Sequence, residues 1–207
     1  FVSSENAIAN LKKEGLDGKA IVTGDIMVDT MVGWQYNLPK HILSDLGVTE
    51  CEYYLVTLHR PGNVDDMRML YSPYEELKDI KTTIVLPCLS RTKNRQQDDY
   101  LWEKVNESWI VQPPIPYLDF HALIQKAKGV ISDSGGIQKE AYFYQVPCFT
   151  LRPETEWVET VEDGWNTVVR PGKDSLRKAM EGWKRPHLHK PIYGTGRAAA
   201  KMIQALY

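Results

Sequence analysis

The sequence predicts an α/β protein in which helices cover both faces of a parallel sheet. Three observations carry that expectation. Short apolar runs alternate with segments whose apolar residues recur at helical spacing, the pattern of βαβ units. The odd, chemistry-bearing residues follow directly on several of the apolar runs, where the carboxyl ends of parallel strands would gather them. The chain, 207 residues and 43% hydrophobic, is long enough to bury a core as one large domain, or as one domain with appendages, and it carries no internal repeat or low-complexity linker.

In chain order, Ser3 or Ser4 can cap a helix over residues 5–14, with Ala7, Ile8 and Leu11 on one face and Gly15 as its stop. Residues 19–24 read as a buried strand closed by a glycine turn, 29–36 as a helix, and 38–46 as a short second one. The strand 53–58 runs straight into His59-Arg60-Pro61-Gly62-Asn63. A helix over 66–79 follows, with Pro73 expected near a start or a kink. Residues 82–86 form a strand closed by Pro87, and 94–106 are polar and helical in period. Residues 109–111 form a short strand before the stiff Pro113-Pro114-Ile115-Pro116 connection. The helix 118–127 carries a stripe of Leu118, Ala122, Leu123 and Ala127, with Phe120 on another face. Strands over 129–132, 147–151 and 166–169 alternate with helices over 137–144 and 174–183, and an amphipathic helix over 196–206 closes the chain. The layout is Rossmann-like.

A net charge of -2 with interspersed signs gives no footprint for nucleic acid or for an anionic membrane. No apolar run approaches the roughly 20 residues of a membrane-spanning helix. Cys51, Cys88 and Cys148 are odd in number, far apart and in apolar surroundings, with no metal-ligand spacing. A reduced, cytoplasmic protein with neither metal nor cofactor is the expectation. The amino terminus, Phe-Val-Ser-Ser-Glu-Asn, shows no initiator Met and no signal-peptide pattern, and reads as the interior of something longer.

The stretch 130–141, Val-Ile-Ser-Asp-Ser-Gly-Gly-Ile-Gln-Lys-Glu-Ala, reads as a strand, a turn of small residues and a helix start. Ser132 or Asp133 can cap that helix, while Gly135 and Gly136 leave its first amides uncovered by side chains. Free amides and the positive end of the helix dipole suit phosphate or another anion. Glu140 lies one and a half turns further on, within reach of a sugar if phosphate sits at the turn. A βα turn that needs glycine only for its backbone gives the same residues. His59, at a strand end, can act as general acid or base, and Arg60 can neutralise a phosphate. A histidine bonded to a loop carbonyl beside a solvated arginine is the competing reading. Arg91, Lys93 and Arg95 form a basic cluster, and Glu154, Glu156, Glu159, Glu162 and Asp163 an acidic one expected on a solvated helix face. The surroundings of Ser134 are not those of a hydrolase nucleophile elbow, and neither a dinucleotide fingerprint nor a P-loop occurs.

Together these motifs resemble the non-hydrolysing UDP-N-acetylglucosamine 2-epimerase family. Thr57-Leu58-His59-Arg60 with Asn63 is similar to that family's Thr-x-His-Arg-x-Glu-Asn. Residues 132–138 with Glu140-Ala141 are similar to its Ser-Asp-Ser-Gly-Gly-Ile-Gln-Glu-Glu-Ala. Val22-Thr23-Gly24-Asp25 with Asp29, and Pro147 through Glu156, match further segments in the same order. The resemblance implies one half of a glycosyltransferase-B architecture, the carboxy-terminal, UDP-binding half. It implies residues 1–18 as the end of a preceding domain or a linker helix, 19–190 as the nucleotide-binding domain, and 191–207 as a closing helix that crosses back to an amino-terminal domain this chain does not contain. The implied partner is UDP or a UDP-N-acetylhexosamine, with C2 inverted through elimination and re-addition of UDP by carboxylates of the other half. A homodimer is a further implication.

By the same resemblance, Phe120 stacks near the uracil, Ser134, Gly135 and Gly136 bind the diphosphate, Glu140 takes the ribose hydroxyls, and His59 assists departure and return of UDP. The chain departs from the family at Gly62, where a Glu is usual, and at Leu89 and Ser90, where a Pro-x-His-Pro-Arg-Thr segment places His and Pro. Lys139 replaces the first Glu of the Glu-Glu pair and Trp157 a common Arg. These departures put effector regulation by a second UDP-sugar in question and suggest a divergent member, or one acting on a related UDP-sugar. Two alternatives remain open: a UDP-sugar-binding module without chemistry, and the nucleotide-binding half of a glycosyltransferase. On this reading the chain alone binds UDP weakly and does not turn over.

Overall fold

The computed structural model describes residues 1–16, 18–64, 67–88 and 100–207. The basic cluster Arg91, Lys93 and Arg95, the departures at Leu89 and Ser90, and the first part of the 94–106 helix lie outside the described residues. The described chain forms two units, residues 1–38 with 188–207, and residues 39–187.

In the first unit, Val2 and Val22 share a single parallel bridge beside helices α1 (Glu5–Lys13) and α2 (Ile26–Trp34). Residues 19–24 are therefore not the buried strand that their apolar run predicts, and Ile21 is exposed. The reason lies in Gly24. Its φ is +91°, and a Cβ there would stand 2.9 Å from the Tyr193 carbonyl oxygen, so the chain turns against the carboxy-terminal segment instead of extending. The Asp25 amide donates to that same carbonyl at 2.8 Å. Its carboxylate accepts from the Met27 amide and starts α2 three residues earlier than the helical period suggests. Asp29, inside α2, accepts from the amides of Ala198 and Ala199, both at 2.9 Å, and so caps the final helix of the chain, Ala198–Gln204. The Val22-Thr23-Gly24-Asp25…Asp29 motif is thus a clasp on the carboxy-terminal helix.

The second unit holds six parallel strands: β1 (Tyr53–Thr57), β2 (Thr83–Pro87), β3 (Ile110–Gln112), β4 (Gly129–Ser132), β5 (Cys148–Leu151) and β6 (Asn166–Val169). Their order is β3-β2-β1-β4-β5-β6. The helices of this unit are α3 (His41–Asp45), α4 (Pro61–Val64), α5 (Met67–Leu77), α6 (Tyr100–Ser108), α7 (Tyr117–Lys126), α8 (Gly135–Phe143), α9 (Val158–Glu162) and α10 (Leu176–Gly182). Pro73 sits well inside α5 rather than near its start.

Alternation along the strands explains helices on both faces. Tyr53 and Leu55 of β1, Val85 of β2 and Val130 of β4 point to one face, where Leu123 and Ile124 of α7 and Ala141 of α8 cover them. Tyr54 and Val56, Ile84 and Leu86, and Ile131 point to the other, against Tyr74 and Leu77 of α5 and Leu176 of α10. Strands buried on both sides are nearly continuous in apolar residues, and all five β1 residues are buried. Each such side chain contributes about 1.5–3 kcal/mol. The chain runs outward through β2 and β3, then returns through α7 to place β4 beside β1, in the register Leu55↔Val130 and Thr57↔Ser132. The direction of strand addition reverses there. The carboxyl ends of β1 and β4 therefore open a crevice of the kind in which such sheets hold ligands.

Cys88 and Cys148 are buried as expected, but Cys51 is exposed at a turn with φ +61°. None of the three is in a disulfide, and burial pushes the thiol of Cys148 up to about 12.

Candidate functional site

At the crevice, two strand ends are tied by their own side chains. The hydroxyls of Thr57 and Ser132 lie 2.7 Å apart, and the Ser132 hydroxyl also accepts from the Ser134 amide at 3.0 Å. Asp133 is fully buried, and its carboxylate turns back toward the loop after β1. It accepts from the amides of His59 at 3.1 Å and Arg60 at 2.9 Å, and from Asn63 Nδ2 at 3.1 Å. The His59 ring places Nδ1 3.0 Å from Asp133 Oδ1. Burial pushes the Asp133 carboxyl up, but the His59 ring and the amides outweigh it and hold the group below the ordinary carboxylate range. With Nδ1 engaged by the carboxylate, the other ring nitrogen of His59 remains available on a side chain 38% exposed.

Neither Ser132 nor Asp133 caps α8, contrary to the sequence expectation, because the Asp133 carboxylate is spent on the loop after β1 and the Ser132 hydroxyl on Thr57 and the Ser134 amide. The N-cap residue is Ser134, whose side chain makes no capping bond. The first amides of α8 therefore meet the crevice with the positive end of the helix dipole, an arrangement suited to an anion. A cavity of about 270 Å³ opens beside them, lined by Thr57, Leu58 and His59, by Pro114, Ile115 and Phe120, and by Ser134 and Ile137. The fold thus brings His59, Phe120 and Ser134 to one cavity. Arg60, Gly135, Gly136 and Glu140 do not line it, and Gly62 lies in α4 with open space around it.

Glu140 follows Gly135 by about 7.5 Å along the helix, at about 1.5 Å per residue, and is buried on the side facing α7. Its Oε1 lies 3.6 Å from Nε2 of His121, itself 1% exposed. Nδ1 of His121 shares a hydrogen bond of 3.1 Å with the Tyr144 hydroxyl, and the Tyr117 ring packs on the imidazole at 4.2 Å. Burial, followed by the Glu140 charge, raises the Tyr117 phenol. The sequence carries no local signal for this cluster, because its members lie on two helices and only packing brings them together.

A second feature hidden from sequence reasoning is a buried amide-hydroxyl network under α8. Gln138 Oε1 accepts from the Thr155 hydroxyl and from Asn166 Nδ2 at 2.9 Å, while Gln138 Nε2 donates to the Ser134 carbonyl at 3.3 Å. Asn166 also donates to Thr160 and accepts from Thr150. The network fixes the loop 152–157 against the start of α8. There Glu156 Oε1 stands 2.3 Å from where a Cβ of Gly135 would be, so glycine is what admits that carboxylate. Burial raises the Glu156 carboxyl, but its own amide, its pairing with Arg152 and the nearby charge of Arg60 bring it below the ordinary range. The two departures Lys139 and Trp157 meet in space, with the ammonium over the indole at 4.2 Å. The acidic stretch is not a uniformly solvated face, because Glu159 is buried.

Among the described residues, no group of three or more His, Cys, Asp or Glu side chains could hold a metal ion. No helix among them is long and apolar enough to cross a membrane.

A family model described as UDP-N-acetylglucosamine 2-epimerase matches residues 1–207. A UDP-N-acetylglucosamine 2-epimerase homolog of Methanococcus maripaludis is 33% identical over all of this chain and 59% of its own length. A UDP-2,3-diacetamido-2,3-dideoxy-D-glucuronate 2-epimerase of Pseudomonas aeruginosa is 34% identical over all of this chain and 58% of its own. The crystal structure of the UDP-GlcNAc 2-epimerase of Methanocaldococcus jannaschii, in complex with UDP-GlcNAc and UDP, superposes with a TM-score of 0.86 at 32% identity, over all of this chain and 60% of that one. The chain therefore spans about 60% of the length of the relatives it matches. With the whole chain matched and the parallel sheet shared, it belongs to the UDP-N-acetylglucosamine 2-epimerase family.

Proposed function

We propose that this chain is the UDP-binding half of a UDP-N-acetylglucosamine 2-epimerase-like enzyme. The observation that carries the reading is the start of α8, which has no side-chain cap and meets a cavity shared by His59, Phe120 and Ser134. A diphosphate seated on the Ser134 hydroxyl and the Gly135 and Gly136 amides would take their hydrogen bonds and the helix dipole, with Arg60 adding charge. Phe120 would stack on the uracil, and Glu140 would accept from the ribose hydroxyls. In this scheme residues 19–190 carry the nucleotide, while 1–18 and 191–207 lead to and from the other domain.

The chemistry proposed for the whole protein is loss of the C2 proton with cleavage of the C1–O bond, UDP leaving with the electron pair, and re-addition after the proton returns to the opposite face of C2. His59, held by Asp133 through Nδ1, can give a proton to the departing diphosphate and take it back through Nε2. The base at C2 would come from carboxylates outside this chain.

Calorimetric titration of UDP tests the cradle. Ser134→Ala and Glu140→Ala should each weaken UDP binding while the circular dichroism spectrum stays that of the parent. If both variants bound like the parent, the site would lie elsewhere. The chain alone should bring no solvent deuterium to C2 of UDP-N-acetylglucosamine. Exchange above the enzyme-free rate would overturn the division of labour between the halves.

A further inference from the structure

We propose that His121 is a positioning residue for Glu140, and that through it the site tells a ribonucleotide from a 2′-deoxyribonucleotide. The inference rests on Glu140 being the ribose acceptor. His121 is 1% exposed and wedged between two rings, Tyr117 at 4.2 Å and Tyr144 at 5.7 Å. Its Nδ1 lies 3.1 Å from the Tyr144 hydroxyl, while its Nε2 has no hydrogen-bond partner among the described residues and points at Glu140 Oε1 from 3.6 Å. A buried imidazole nitrogen left unpaired carries a desolvation cost that a small movement of the carboxylate removes. With the Tyr144 hydroxyl donating to Nδ1, the Nε2 proton faces the carboxylate. One Glu140 oxygen is then fixed by the protein, and the other is left to accept from a sugar hydroxyl.

The geometry has a consequence for selectivity. An acceptor fixed in direction by a buried, ring-clamped donor rewards a hydroxyl in one place, whereas a loose carboxylate turns to water when that hydroxyl is missing. A hydrogen bond to a charged acceptor is worth about 10- to 100-fold in affinity. The same factor should separate UDP from 2′-deoxy-UDP.

The test is the ratio of dissociation constants for 2′-deoxy-UDP and UDP, measured by calorimetry on the parent chain and on Glu140→Ala, His121→Leu, His121→Gln and Tyr144→Phe. The parent should favour UDP about tenfold or more. Glu140→Ala and His121→Leu should bring the ratio to about one, and His121→Gln, which keeps a donor near the Nε2 position, should restore most of it. If the parent or Glu140→Ala shows that the ratio does not depend on Glu140, the ribose reading of Glu140 fails. If Glu140→Ala abolishes the ratio while His121→Leu weakens both ligands equally and preserves it, His121 is only a packing residue and the inference is overturned. Should His121→Leu fail to fold, Tyr144→Phe decides. A ratio reduced about threefold or more supports the positioning role, and an unchanged ratio contradicts it.

Discussion

Asp133 gathers the two amides after β1, the Asn63 side chain and the His59 ring on one buried carboxylate. Asp133→Asn keeps the shape but removes the charge and turns an acceptor into a donor facing donors. It should cost about 3 kcal/mol in urea unfolding. Because the folded carboxyl titrates below its ordinary value of 3.8, the stability it contributes is fully present above that pH and is lost as the pH falls through the lower, folded value. An acid-unfolding series on parent and Asp133→Asn should therefore show the variant's deficit shrinking below about pH 4. Lys139 offers a second check at this scale. Lys139→Met should lose about 0.5–2 kcal/mol with the contact to the Trp157 ring, and Lys139→Arg should keep most of it. The sequence named Ser132 through Gly136 as the core of the site, and that reading needed only local pattern. It could not show that Ser132 pairs with Thr57, or that Asp133 turns to the loop after β1, because those partners stand seventy or more positions away.

Among elements, α8 has the clearest division of roles. Its start is left without a side-chain cap, its inner face is pinned by Gln138, and Glu140 faces α7. Gly135→Ala tests the start. The gain in helix propensity, up to about 1 kcal/mol, is offset by displacing the exposed end of Glu156 from Arg152, a pairing worth about 0–1 kcal/mol. The unfolding midpoint should thus barely move, while UDP affinity changes because the Glu156 carboxylate has shifted beside the first amides. An unchanged affinity would detach that carboxylate from the site. Strands β1, β2, β4 and β5 were legible because burial on both faces leaves continuous apolar runs. The run at residues 19–24 looked the same but ends at Gly24, whose contact with Tyr193 no local pattern records. His121 was unreadable for a related reason: a lone histidine in an amphipathic helix looks like filler until Tyr144 and Glu140 arrive from the next one.

For the whole molecule, the parallel sheet was foreseeable from the alternation of strands and helices, while its order was not. The return of the chain beside β1, which brings His59 and Ser134 together, is decided by where α7 packs. In the unit of residues 1–38 and 188–207, Asp29→Ala should uncap the final helix at a cost of about 1 kcal/mol, read as faster amide exchange over residues 198–204. Unchanged exchange there would mean that the clasp carries no weight. Calorimetric titration of this chain with uridine and with UDP asks whether the crevice between β1 and β4 is built for a nucleoside diphosphate. UDP should bind at least about tenfold more tightly than uridine, because the diphosphate meets the start of α8. UDP binding no tighter than uridine, or undetectable at millimolar concentration, would mean that the crevice is not a diphosphate site.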